Sequence, residues 1–254
     1  NVPTIETKPD AEYLYWIGCQ SSYDARSREV VRAMISIMRK AQISFAILGK
    51  TEKCSGEPVR RLGEEGRFQQ LALENIEVMQ QHGIRKIVTH CAHCFNTIKN
   101  EYPGLGGNYE VMHHTQFLKS LVQEGRLTIE GGKFKGKRIT FHDPCYLGRA
   151  NKVYEAPRDL LRKLEVELIE MKRCKSKGFC CGAGGAQMFK EPEPGNKDVN
   201  IERTEEALEI KPEVIAAGCP FCNTMMTDGV KNKEQEDNVA VMDVAEMIAS
   251  AADL

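Results

Sequence analysis

Apolar residues along the chain alternate between two patterns. Short runs rich in aromatic and β-branched side chains, such as residues 13–17 and 138–142, are followed by longer stretches with helical periodicity, such as 27–41 and 64–82. Short strands that alternate with amphipathic helices are typical of βαβ units, in which neighbouring strands run parallel. The pattern therefore predicts an α/β fold.

The same order of runs occurs twice. Residues 13–24 resemble 138–149, and residues 85–100 resemble 212–229. Four cysteines recur in the two halves at offsets of 126 to 128 residues; the pairs are Cys19 with Cys145, Cys54 with Cys180, Cys91 with Cys219, and Cys94 with Cys222. Self-similarity at a fixed offset indicates duplication. We therefore predict two homologous, small, doubly wound (Rossmann-like) parallel-sheet domains.

The repeat also sets the expected domain boundaries. Residues 13–125 form the first cysteine-rich domain and residues 138–254 the second, and the Gly- and Lys-containing segment 126–137 is interpreted as the linker between them. Residues 1–12 are polar and contain no secretory signal pattern. We interpret them as a linker or tail that follows a longer sequence.

The composition excludes some classes of function and favours others. The 254 residues carry a net charge of −1, which gives no basic footprint for nucleic acid. The longest apolar runs, such as 43–48, are far shorter than the roughly 18–20 residues of a membrane span, so none is expected. Ten cysteines without a signal peptide point to metal or redox chemistry in the reducing cytoplasm.

The cysteines lie where apolar runs end, which in a parallel sheet is the carboxyl edge, the usual ligand-binding edge. Thiolates that converge there favour a soft metal, either iron–sulfur or zinc. Five thiols in the second half exceed the four that a zinc ion or an ordinary cubane takes, so one is spare or the cluster accepts an extra ligand. The first set is Cys19, Cys54, Cys91 and Cys94, and the second is Cys145, Cys180, Cys181, Cys219 and Cys222.

Other interpretations of these residues remain open. The C-P-F-C run at 219–222 also suits a thioredoxin-type dithiol, but that interpretation leaves the other three cysteines of the second half unused. Cys174 lies outside the repeat and is interpreted as a small buried hydrophobe. His90, His93 and His142 are near cysteines in sequence, and each is a packing residue, a sulfur donor or a ligand.

The cysteine motifs resemble the tandem cysteine-rich domain of the CCG-domain family. That family includes the catalytic subunit of heterodisulfide reductase, the iron–sulfur subunit of glycolate oxidase and the lactate-utilisation iron–sulfur protein. The chain is most similar to its branch of membrane-associated iron–sulfur oxidoreductases, which oxidise electron-transfer flavoprotein and reduce menaquinone. The motifs are Cys19, KCSGEPVRRLGEE at 53–65, CAHCFNTIKNEYP at 91–103, HDPCYLGR at 142–149, GFCCGAGG at 178–185 and CPFCNTMM at 219–226.

The resemblance implies a 4Fe-4S cluster of the non-cubane type on the five cysteines of the second half. It implies a second iron–sulfur cluster, or zinc, on the four of the first half. Ser55 stands where heterodisulfide reductase has a second adjacent cysteine, which argues against a second non-cubane cluster. The ferredoxin run typical of the branch is absent from these residues, so we expect it on further sequence or on another subunit.

The function expected from this resemblance is electron transfer between an electron-transfer-flavoprotein-like flavoprotein and a downstream acceptor such as a quinone. The expected partners are that flavoprotein and other iron–sulfur or membrane subunits, with the protein in the cytoplasm or held at the inner face of the membrane by a partner or further N-terminal sequence. Two alternatives are a heterodisulfide or thiol-disulfide reductase acting at the non-cubane cluster, and a zinc-stapled interaction module. Hydrolase and phosphate-binding motifs are not evident in the sequence.

Overall fold

The computed structural model describes residues 2–191 and 194–254, and the two halves of the chain repeat one order of elements. The first half contains β1 (Tyr13–Trp16), α1 (Cys19–Tyr23), α2 (Ala25–Lys40), β2 (Phe45–Ala46), α3 (Glu57–Arg61), α4 (Glu65–Gln81), β3 (Lys86–Thr89), α5 (Ala92–Asn100), β4 (Glu110–His113) and α6 (His114–Gln123). The second half contains β5 (Arg138–Phe141), α7 (Glu155–Lys163), β6 (Glu167–Leu168), α8 (Val199–Glu209), β7 (Val214–Ala217), α9 (Pro220–Asn232), β8 (Ala240–Asp243) and α10 (Val244–Ala251).

Each half has one four-stranded sheet in which every strand pairing is parallel. The strand orders are β2-β1-β3-β4 and β6-β5-β7-β8, so the first strand of each half lies inside its sheet. This arrangement confirms the predicted α/β class and the duplication. Helices expected at 27–41 and 64–82 form as α2 and α4.

Helix α2 illustrates how the sequence sets an element. The carboxylate of Asp24 accepts a 2.6 Å hydrogen bond from the backbone N–H of Ser27, which satisfies one of the free donors at the helix start. Buried residues recur every three or four positions, at Val30, Met34 and Ile37. The helix therefore presents one apolar face, which packs against α10 of the second half.

The two halves share one hydrophobic core. It joins Val30 and Ile37 of the first half with Ile139, Leu161 and Ile248 of the second. Leu127 and Phe134 from the predicted linker, residues 126–137, are buried in the same core. The linking segment is therefore fixed against both halves.

Residues near the start of the chain pack against the first sheet. Within residues 1–12, which the sequence predicts to be a linker or tail, Thr4 and Ile5 contact the first half. Thr4 forms a parallel bridge with Ile47 next to β2, and Ile5 is only 1% exposed because its apolar side chain covers the edge of the first sheet. Among the helices in residues 2–191 and 194–254, none has both the length and the apolar character needed to cross a bilayer.

Candidate metal centre

The cysteines gather where the carboxyl-terminal edges of the two sheets meet. Cys91 and Cys219 follow β3 and β7 and each directly precedes a helix, α5 or α9. These two cysteines belong to one buried cluster together with Cys94, Cys181 and Cys222. The edge at which parallel sheets place ligands is thus lined by thiols from both halves.

The four first-half cysteines lie together. The Sγ atoms of Cys19 and Cys54 are 3.7 Å apart, and Cys94 interacts with both Cys19 and Cys91. The backbone N–H of Cys94 donates to the Sγ of Cys91 over 3.5 Å at the start of α5. The positive end of a helix favours a thiolate, but burial and the neighbouring thiols of Cys219 and Cys94 raise the pKa of Cys91 well above its usual value.

The five second-half cysteines form a continuous series of contacts. The Sγ atoms of Cys181 and Cys222 are 3.3 Å apart. Cys180 lies close enough to Cys145 and Cys181, and Cys219 to Cys222, for these thiols to shift one another's pKa. Cys180 and Cys181 lie in a loop, so their side chains are free to point in different directions. All five predicted residues are therefore placed at one location.

The two sets also touch each other. The thiols of Cys91 and Cys219 lie close enough across the boundary between the halves to shift each other's pKa. The sequence pattern predicts one site per half, and the structure brings both sites into one thiol cluster. Cys174 lies apart from it, half-buried, with Glu170, Arg158 and Asp143 as its charged neighbours.

The pKa values of three thiols, Cys54, Cys180 and Cys219, are lowered. Those of five others are raised by neighbouring thiols and by burial: Cys19, Cys91, Cys145, Cys181 and Cys222. A hydrogen bond from Cys19 lowers the pKa of Cys54 to about 7, and the N–H of Gly56 supports it over 3.4 Å. Hydrogen bonds from Cys145 and Cys181 lower the pKa of Cys180 far more, again with a glycine N–H, that of Gly182, at 3.3 Å. Metal ligands must be deprotonated, and a set of nine soft sulfur donors fits iron–sulfur or zinc binding.

His93 belongs to a buried polar network that joins the halves. Its Nδ1 lies 3.0 Å from the carboxylate of Glu57, which also accepts a 2.9 Å hydrogen bond from the hydroxyl of Tyr146. Burial acts to raise the pKa of Glu57, but its hydrogen bonds with His93 and Tyr146 outweigh burial and lower it. The ring of His93 packs on Phe221, between the last two cysteines. Arg61, for which the sequence indicates no definite partner, donates to Tyr146.

The other two histidines near cysteines differ. Both ring nitrogens of His90 have protein partners: Nδ1 lies 2.9 Å from the hydroxyl of Tyr15, and Nε2 lies 2.7 Å from that of Ser21. His142 uses only Nδ1, which accepts a 3.0 Å hydrogen bond from Arg203. Burial lowers the pKa of both imidazoles to about 4, so both are neutral near pH 7.

Some residues at the site carry no signal in the sequence. The carboxylate of Glu52 accepts hydrogen bonds from the backbone N–H groups of Gly18, at 2.6 Å, and Ile17, at 3.2 Å. Burial raises the pKa of Glu52 to about 7, against the effect of those bonds. Only the folded chain brings this carboxyl beside Cys19, 33 residues earlier in the sequence.

A buried ion pair anchors the loop that precedes Cys180. Arg158 is completely buried and binds Asp143 through two hydrogen bonds of 2.7 and 2.8 Å. The same carboxylate accepts the backbone N–H of Lys175 over 2.7 Å. Asp143 lies two residues before Cys145, so one ion pair positions both outer cysteines of the second half.

Two further histidines, to which the sequence assigns no role, fasten the first half to the second. Nε2 of His113 lies 2.9 Å from the carbonyl oxygen of Gly218, the residue before Cys219. Nε2 of His114 lies 2.9 Å from the carboxylate of Asp243. Both histidines are fully buried, so these contacts hold the two edges in register.

Comparisons with known proteins agree with the duplication. A family model described as a cysteine-rich domain, CCG, matches residues 13–99 and again residues 139–227. The probable iron-sulfur-binding oxidoreductase FadF of Bacillus subtilis is 46% identical over 98% of this chain and 36% of its own length. The EtfAB:quinone oxidoreductase of Syntrophomonas wolfei is 43% identical over 97% of this chain and 35% of its own length.

A third relative is one of the subunits of the dihydromethanophenazine:CoB--CoM heterodisulfide reductase of Methanosarcina barkeri. It is 34% identical over 99% of this chain and 62% of its own length. The chain thus spans only about a third of the first two relatives and less than two thirds of the third.

Proposed function

Because the chain belongs to the family of the cysteine-rich CCG domain, we propose that it is the electron-transferring part of an iron–sulfur oxidoreductase. Electrons pass from a flavoprotein through this part to a downstream acceptor such as a quinone. The observation that carries the proposal is the single cluster of nine cysteines that crosses between the halves through Cys91 and Cys219. Residues 13–125 and 138–254 serve as its two cysteine-rich domains.

The two thiol sets hold the redox groups in this proposal. The five second-half cysteines bind a 4Fe-4S cluster of the non-cubane type, and the four first-half cysteines bind a second iron–sulfur cluster or a zinc ion. When bound, an iron–sulfur cluster accepts and releases single electrons. The protein supplies thiolates, burial and hydrogen bonds, which tune the potential of such a group.

The distribution of exposure supports passage of electrons through the molecule. Of the nine cysteines in the cluster, four are half-buried and lie toward the outside, two in each half: Cys19, Cys54, Cys145 and Cys180. The cysteines between them are buried, and these include the pair that joins the halves. This order provides an outer contact for a partner on each half and an enclosed connection in between.

The proposed partners follow from the same reasoning. One relative is named an EtfAB:quinone oxidoreductase, which supports an electron-transfer-flavoprotein-like donor and a quinone acceptor. Additional iron–sulfur or membrane subunits complete the complex. All ten cysteines are free thiols, which suits the reducing cytoplasm, or its membrane face if a partner holds the protein there.

A second candidate function is reduction of a small disulfide at the second-half cluster. The half-buried positions of Cys145 and Cys180 favour it, because a substrate sulfur can approach them. Two electrons from a reduced flavoprotein and two protons would convert the disulfide into two thiols. Ser55, in the position equivalent to Cys181, gives the first half one thiol fewer and weighs against a mechanism that needs two five-cysteine sites.

Metal analysis tests the proposal. We expect about eight iron, or about four iron and one zinc, per anaerobically purified chain, with matching acid-labile sulfide. Reduced electron-transfer flavoprotein is expected to reduce the clusters faster than they reduce a small thiol heterodisulfide. Zinc without sulfide would contradict electron transfer and leave the zinc-stapled module, and faster disulfide turnover would favour the second candidate.

A further inference from the structure

Several buried side-chain nitrogen and oxygen atoms have no hydrogen-bond partner among the described residues, and two of these nitrogens, one in each half, adjoin the cysteines. They are Nε1 of Trp16 and Nε2 of His142. Both side chains are completely buried. An unsatisfied buried donor is costly, so such a group calls for a partner.

The two donors occupy equivalent positions in the duplicated fold. Trp16 ends β1, where it pairs with Thr89 of β3. His142 follows β5 directly, and its backbone N–H donates to the carbonyl of Ala216 in β7. The residues are 126 positions apart, the same offset as that between Cys19 and Cys145. The duplicated fold therefore places one such group at the same position in each half.

Each donor lies beside the second cysteine of a C-x-x-C pair. A Cβ atom built on Gly18 would be 3.2 Å from Sγ of Cys94 and 3.9 Å from Nε1 of Trp16, so both atoms line one small space. In the second half, a ring nitrogen of His142 and the Sγ atoms of Cys181 and Cys222 all lie within 4.8 Å of one another.

The contact with Arg203 decides which nitrogen of His142 carries the proton. A guanidinium group is a donor only, and its Nε–H points at Nδ1 over 3.0 Å. Nδ1 is therefore the acceptor, and the hydrogen of the neutral ring is on Nε2. A protonated Nε2 has no lone pair for a metal ion, so His142 faces the cysteines as a donor.

We propose that Trp16 and His142 are matched hydrogen-bond donors to cluster-bound sulfur, one for each half of the protein. The assignment rests on the proposed function, since it needs clusters on these cysteines. An N–H directed at sulfur stabilises the more negative, reduced state and raises the reduction potential. The duplicated fold thus supplies one tuning contact per site, from an indole in one half and an imidazole in the other.

The test is a redox titration of the holoprotein, followed by EPR, with Trp16→Phe and His142→Leu. Each substitution removes one N–H, and each variant is the control for the other half. We expect about a tenfold fall in the ratio of reduced to oxidised cluster at fixed ambient potential, about 59 mV for a one-electron couple, only at the matching cluster. His142→Gln, which can both accept from Arg203 and donate to sulfur, should restore the potential.

A direct readout accompanies the titration. An exchangeable proton coupling to each cluster, lost in D₂O, should disappear in the matching variant. Full iron and sulfide with unchanged potentials and couplings would overturn the inference while leaving the proposed function intact. A directly coordinated histidine nitrogen in the EPR-based spectra would also overturn it. Wild-type protein without iron and sulfide would instead contradict the proposed function itself.

Discussion

Three histidines near cysteines in sequence differ in the hydrogen-bond partners of their ring nitrogens. His90 has a partner on both nitrogens, His93 is paired with Glu57, and His142 accepts from Arg203 and leaves Nε2 free. Each partner therefore determines whether the imidazole packs, carries charge or faces the thiols. At the residue scale, the role open to each histidine depends on single hydrogen bonds.

His90 predicts a pH dependence of stability. Its folded pKa of about 4 is below the value of 6.5 in the unfolded chain, so protons bind preferentially to the unfolded state. The stabilisation is present above pH 6.5 and is lost as the pH falls toward 4. Between pH 7 and pH 5 we expect His90 to account for about 2 kcal/mol of lost unfolding free energy.

The measurement is urea unfolding of wild type and His90→Gln at both pH values. Glutamine keeps polar contacts to Tyr15 and Ser21 but does not titrate. Acid loss of metal affects both proteins, so the difference between them isolates the imidazole. Equal losses of stability in the two proteins would show that His90 is not buried in the neutral form.

The cysteine loops of the two halves share one backbone feature, a glycine with positive φ after the cysteines. Gly56 and Gly182 follow Cys54 and the Cys180–Cys181 pair, have φ values of +87° and +90°, and direct an N–H at a cysteine sulfur. Residues with a Cβ rarely adopt this conformation. At the element scale, the turn fixes where the thiols point.

Gly182→Ala should damage the second site selectively. Its Cβ would lie 3.1 Å from the Cβ of Val199 in α8, and the positive φ adds strain of about 1–2 kcal/mol. We expect lower iron content at the second-half site and a lower melting temperature. Gly184→Ala is the matched control, because a Cβ there meets nothing within 4 Å. Equal iron content in both variants would contradict this account of the loop.

The sequence predicts the helices and the positions of the cysteines, but it does not predict several long-range side-chain contacts. Helices α2 and α4 follow from apolar periodicity, and the cysteines at strand ends follow from the repeat. Periodicity reports neighbours along the chain, whereas Arg203 reaches His142 across 61 positions. The burial of Ile5 was missed because the few apolar residues of segment 1–12 form no regular period.

At the scale of the whole molecule, the halves are one body. α2 packs on α10, and α6 packs on α7, over a common core. The repeat indicates that Cys91 and Cys219 are equivalent, but equivalence does not imply contact, and only the packing of the halves brings them together. The single cluster of thiols is therefore a property of the assembled pair.

A core substitution in one half should therefore also lower the stability of the other half. Ile248→Ala in α10 removes a buried side chain that packs in the shared core, at a cost of about 2–4 kcal/mol. Trp16, the single tryptophan, reports on the first half by fluorescence. We expect its urea transition to move to lower concentration with the second-half mutation, while exposed Leu73→Ala leaves it in place. An unmoved Trp16 transition in Ile248→Ala would mean that the halves unfold independently.

The half-buried position of the outer cysteines also determines which thiols are oxidised first by dissolved oxygen. A dissolved oxidant reaches Cys19, Cys54, Cys145 and Cys180 before the enclosed thiols, so oxidative damage begins at the rim and proceeds inward. A redox partner that docks over these residues occupies the path of the oxidant. Under the proposed function, the surface through which electrons enter and leave is thus the surface that a docked partner shields from air.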